Sequence, residues 1–63
     1  MPLVQITMLA GRTTEQKRKL AKRITDVMVE EAGARPEAIV VTFNEVSKEN
    51  YASAGVLIAD KQK

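Results

Sequence analysis

No cysteine and no histidine occur in these 63 residues. The first absence excludes disulfides and thiolate chemistry; the second removes the commonest metal ligand and general base. No metal site and no cofactor are expected. Tryptophan is missing as well, and Phe43 and Tyr51 are the only aromatic residues. The three glycines are scattered, so no phosphate-cradling loop is present. No apolar run approaches membrane-spanning length. No charged segment followed by an apolar stretch opens the chain, so no signal peptide is visible and a cytoplasmic location is expected. Ten Lys and Arg face eight Asp and Glu, a net charge of +2 spread along the chain. A β-ribbon that grips nucleic acid would need a row of cations along its strands, and none is there. No nucleic-acid partner and no membrane partner are expected.

What is present is a short chain of 44% hydrophobic residues, read as one domain over 1–63. A core of this size supplies little net stability, and chains so small lean on disulfides, metals or oligomerisation. With the first two excluded, oligomerisation remains.

Residues Leu3 to Leu9 alternate, with Val4, Ile6 and Met8 on one side and Gln5 and Thr7 on the other, as in a half-buried strand. Ala10, Gly11 and Arg12 end it. Thr13 stands three residues before Gln16, a capping-box spacing, and Glu15 suits the first turn of a helix. From Thr14 to Ala32 the pattern is helical, and Leu20, Ile24, Val27 and Met28 are expected to form one apolar stripe. Gly33 reads as the cap and Pro36 forbids continuation. Ile39 to Val46 is a second, β-branched strand, with Ile39, Val41 and Phe43 on one face. The tail after Ser47 reads as a loop with a short hairpin or arm.

Strand, long helix, strand is an α/β arrangement in which the crossover lets the two strands lie parallel, with a right-handed connection. One helix covers one face of such a sheet. The other face and both edges stay open, and a two-stranded sheet is marginal alone.

Chemistry has few sources here. Glu30, Glu31, Glu45, Glu49 and Asp60 read mostly as solvated carboxylates. Pro2 is different. Initiator Met is removed when the next residue is small, and Pro2 would then carry a free secondary amine. To act as a base near neutral pH that amine must shed its proton readily. Burial disfavours its charged form, and a nearby guanidinium repels the proton. Alone, a proline at position two arises in roughly one chain in twenty. Arg12, just past the first strand, could hold a carboxylate in bidentate fashion or simply face solvent. Tyr51 could wall a pocket or simply pack.

Together these residues resemble the 4-oxalocrotonate tautomerase family. The opening MPLVQITMLAGRTTEQK carries Pro after Met, an apolar strand, Leu9, Gly11-Arg12, a Thr, then Glu15-Gln16-Lys17. The similarity runs on to Asn44, Glu45, Lys48, Tyr51, Ala54 and Gly55. The resemblance implies a β-α-β subunit with a C-terminal hairpin, paired into dimers that assemble into a homohexamer. It implies an isomerase that moves a proton on a small enol or keto acid, such as a 2-hydroxydienoate. Pro2 would be the base. Arg12 of a neighbouring subunit would bind the substrate carboxylate, with Leu9 and Tyr51 as apolar and aromatic pocket positions.

The chain departs from the family at one point. Well-studied members carry a second catalytic Arg in the second strand, and the matched position here is Val40. No Arg follows Pro36. Losing one charge-assisted bond to the developing enolate costs about 1.5–3 kcal/mol. That makes a monocarboxylate or small keto acid as plausible a substrate as a dicarboxylate dienol, unless Arg35 or Lys48 substitutes in space. Ser53 stands where the hydrating and dehalogenating branches carry an added carboxylate, which argues against those activities. The alternative to an enzyme is a noncatalytic oligomeric binding module of the same fold.

Overall fold

A computed structural model describes residues 2–61. The expected removal of Met1, and the last two positions of the tail, lie outside them. The elements run β1 (Leu3–Leu9), α1 (Thr14–Ala32), a 3₁₀ turn (Pro36–Ala38), β2 (Val40–Val46), a second 3₁₀ turn (Lys48–Asn50), the hairpin β3 (Ala52–Ser53) and β4 (Val56–Leu57), and a helical turn α2 (Ile58–Lys61). β1 and β2 pair in parallel from Leu3 opposite Val40 to Leu9 opposite Val46. This is the β-α-β subunit with a C-terminal hairpin that the sequence implied.

The local chemistry explains the boundaries. Thr13 caps α1: its hydroxyl accepts from the Gln16 amide at 3.1 Å, and the Gln16 side chain accepts from the Thr13 amide at 2.9 Å. Both bonds satisfy amides that have no partner within the helix. At the far end Gly33 takes a left-handed φ of 69°, a conformation that costs residues with a Cβ about 1–2 kcal/mol. Thr13→Ala removes the hydroxyl half of the box. It is expected to cost about 1 kcal/mol, read as a lower thermal midpoint at fixed protein concentration.

Packing follows the two periodicities. Val4, Ile6 and Met8 of β1 and Val41 and Phe43 of β2 are half-buried beneath α1. From the helix side Ala21, Ile24, Thr25, Met28 and Val29 are half-buried. The buried stripe is narrower than its spacing predicts. Ile24 and Met28 belong to it, while Leu20 is exposed and Val27 is 54% exposed. A sheet two strands wide spans roughly as much as one helix diameter, so the outer flank of the apolar arc has nothing to cover it. Two smaller differences concern boundaries. Ile39 caps the 3₁₀ turn instead of opening β2, because Pro36 seeds that turn. The apolar stretch Val56 to Ala59 divides between β4 and α2.

The single chain buries little of its own surface. None of the described residues is fully buried. The chain exposes 4911 Å², where a compact monomer of this mass would expose roughly 4,000 Å². That surplus is comparable to the share of one partner, about 800 Å², in a standard interface. The radius of gyration is 14.8 Å against roughly 11 Å for a compact chain of this length. The open sheet face explains part of it: Leu3, Gln5 and Thr7 of β1 and Val40, Thr42 and Asn44 of β2 are all exposed.

Candidate active site

Pro2 immediately precedes β1 and is half-buried. Its carbonyl accepts a hydrogen bond from the Val40 amide at 3.0 Å. That bond continues the ladder one step past Leu3 and fixes the residue at the mouth of the parallel pair. The amino end of the sheet therefore holds Pro2 beside the start of β2, flanked on the open face by Leu3 (57% exposed) and Val40 (40% exposed).

The other expected residues lie at the opposite end. Leu9 is the last residue of β1 and is half-buried. The Ala10 amide still donates to the Val46 carbonyl at 2.8 Å, after which Gly11 adopts φ 129° and turns the chain away. Few residues other than glycine tolerate that angle, so the position of Arg12 depends on it. Arg12 is exposed between the turn and the helix cap. Its guanidinium makes no ion pair or hydrogen bond among the described residues. Tyr51 follows the turn that leaves the carboxyl end of β2. It is 41% exposed, and its carbonyl accepts from the Ile58 amide at 2.8 Å.

Seven strand steps separate Pro2 from Leu9, roughly 23 Å at parallel-strand spacing. The structure thus brings Leu9, Arg12 and Tyr51 to one end of the sheet and Pro2 to the other. No single chain assembles the four around one small molecule.

The remaining charges sort by the same axis. Lys17 reaches Glu45 at 2.7 Å, and both side chains are under one-third exposed, so this carboxylate is engaged. It lies across from Met8 on the helix-facing side and closes the apolar layer with an ion pair. Arg18 pairs with Glu15, and Lys22 with Asp26, along the outer face of α1. Among the described residues no cluster of Asp and Glu has the makings of a metal site. None of their helices is long and apolar enough to cross a membrane. By sequence alone Arg35 and Lys48 are equal as substitute cations; the parallel topology separates them, with Arg35 at the Pro2 end and Lys48 at the Arg12 end.

Comparison with known proteins bears on the whole chain. A family model described as "Tautomerase enzyme" matches residues 2–61. A 2-hydroxymuconate tautomerase of Bacillus subtilis (strain 168) is 45% identical over 62 residues, covering 98% of this chain and 100% of that protein. The solved structure of a 4-oxalocrotonate tautomerase isozyme from Methylibium petroleiphilum superposes with a TM-score of 0.94 at 36% identity, covering 97% of this chain and 95% of the other. A heterohexamer 4-oxalocrotonate tautomerase from Chloroflexus aurantiacus J-10-fl superposes with a TM-score of 0.90 at 30% identity, covering 95% and 97%.

Proposed function

This chain belongs to the tautomerase family and is an isomerase of the 4-oxalocrotonate tautomerase type; on that footing we propose that Pro2, freed by loss of Met1, is its general base. The reaction is a 1,3- or 1,5-proton transfer on a 2-hydroxydienoate or a related enolisable keto acid. The neutral prolyl nitrogen takes the proton of the 2-hydroxyl group. The oxygen lone pair becomes the carbonyl π bond, and electron density moves along the conjugated carbons. The prolyl ammonium then returns the proton to C3 or C5. One proton leaves and one arrives, so no redox partner is required.

Arg12 of a neighbouring subunit binds the substrate carboxylate and draws electron density toward it. Leu9 and Tyr51, from the same end as Arg12, exclude water from the pocket and strengthen the field of the guanidinium. The same dry wall favours the uncharged amine.

The observation that carries this reading is the pinning of Pro2. In a chain that the family model matches from residue 2, it is half-buried and held through its carbonyl to Val40, a fixed place for a terminal base. The separation of Pro2 from Arg12 supports a site shared between chains. The surplus exposed surface supports a homo-oligomer, and we take a hexamer built of three dimers as its form.

The test is a tautomerase assay on a panel of mono- and dicarboxylate enols, run on protein whose amino terminus is verified by intact mass. Turnover of at least one enol acid by protein lacking Met1, and none by protein retaining it, is the expected result. Equal turnover by both forms removes the base assigned here.

A further inference from the structure

We infer that Arg35 supplies a second cation at the Pro2 end of the pocket, and so lets this chain handle a substrate bearing a second oxyanion despite Val40. The inference rests on the reading of the site proposed above.

The argument begins with topology. α1 runs back along the sheet, so its start lies at the carboxyl end of the strands and its last turn at the amino end. No basic residue occurs in that last turn. Between Arg23 and Lys48 the only cation is Arg35. It is therefore also the only cation in the connection that delivers the chain to β2. The carboxylates Glu30, Glu31 and Glu37 are exposed at this same end. Without Arg35 the field there would repel an anionic substrate.

Local structure then fixes where Arg35 stands. Its backbone is extended, at φ −82° and ψ 140°, as Pro36 demands of the residue before it. Its carbonyl accepts from the Ala38 amide at 2.9 Å, and the Ile39 amide donates to the Pro36 carbonyl at 3.2 Å. At the next residue, the Val40 amide holds the Pro2 carbonyl. Five steps along the chain, three of them in a 3₁₀ turn, put the Cα of Arg35 at most roughly 13 Å from that of Val40. A long, four-torsion side chain brings a guanidinium from there toward a molecule lying beside Pro2. Arg35 is exposed, and its guanidinium makes no ion pair or hydrogen bond among the described residues, so its five side-chain donors are uncommitted there.

Lys48 is the competing cation. It leaves from the carboxyl end of β2, with Arg12, and it offers a point charge where Arg35 offers a planar fork. Arg12 already serves that end. A substrate with two charged ends spanning the pocket needs its second partner on the Pro2 side.

The experiment compares a dicarboxylate dienol with a monocarboxylate enol for the unaltered protein and for Arg35→Ala, Arg35→Gln, Lys48→Ala and Pro2→Ala. Arg35→Ala and Arg35→Gln are expected to lower kcat/KM for the dicarboxylate about ten- to a hundredfold, with the monocarboxylate changed less than about threefold. Adding Val40→Arg to Arg35→Ala is expected to restore the dicarboxylate rate, which a merely structural role for Arg35 would not allow. The proposal is overturned if both substrates lose equally, if Lys48→Ala carries the selective loss instead, or if the unaltered protein turns over only the monocarboxylate. Full activity in Pro2→Ala would overturn the underlying reading of the site; a dead Pro2→Ala beside an unimpaired Arg35→Ala would overturn this inference alone.

Discussion

Replacing Pro2 with alanine is expected to lower kcat for an enol acid by about a hundredfold to ten-thousandfold, the usual contribution of a positioned general base. The variant isolates the pyrrolidine ring. Alanine is small enough for Met1 still to be removed, so a terminal amine remains. Two things change. The amine becomes primary, and the ring that fixed its direction is lost, so it samples orientations in which its lone pair misses the substrate. The bond from the Val40 amide to the carbonyl of residue 2 is a backbone bond and survives the change. The strand pair should therefore persist, and the loss should fall on the chemistry. Steady-state kinetics on mass-verified protein, with circular dichroism as the control for folding, makes the check. Unchanged kcat in a folded variant would end the case for Pro2.

How much of this could be read before the structure depends on the range of each interaction. β1 and α1 were legible because their signals are local. Alternation set the strand at Leu3–Leu9, and the Thr13–Gln16 box and Gly33 set the helix at Thr14–Ala32. The parallel pairing followed from the length of the connection. The register and the burial were harder, because they depend on what lies across from a residue. Val27 has the spacing of a core position, yet a two-stranded sheet does not reach it. The two 3₁₀ turns span three residues each and α2 four, too few to leave a periodic pattern.

The site shows the same division. Pro2, Leu9, Arg12 and Tyr51 are legible in the opening motif and the tail through the family resemblance. Their distribution between two ends of the sheet came from the parallel register alone. In the sequence Pro2 and Arg12 stand ten residues apart and look close. An extended strand drives them apart, because each residue adds about 3.3 Å. Arg35 illustrates the converse: it is 33 positions from Pro2, yet the ladder bond at Val40 returns it to the same end.

Replacing Arg12 with alanine is expected to cost about a hundredfold or more in kcat/KM, since a charge-assisted donor in a dry site is lost. The stronger test combines this variant with Pro2→Ala. If Pro2 of one subunit works with Arg12 of another, neither variant alone holds an intact site. In an oligomer assembled from equal amounts of both, a site is intact when an Arg12→Ala chain supplies Pro2 and a Pro2→Ala chain supplies Arg12. Random assortment puts that at about one site in four. Unfolding the two together and refolding them should therefore recover activity that simple mixing of stable oligomers does not. A site contained in one chain forbids any recovery, because every chain in the mixture carries a lesion. The roughly 23 Å between Pro2 and Leu9 already disfavours that arrangement on geometry. Refolded mixtures as inactive as their components would mean that the two residues serve one chain after all. Recovery near a quarter of the unaltered activity would establish sharing and, with it, why so small a chain cannot act alone.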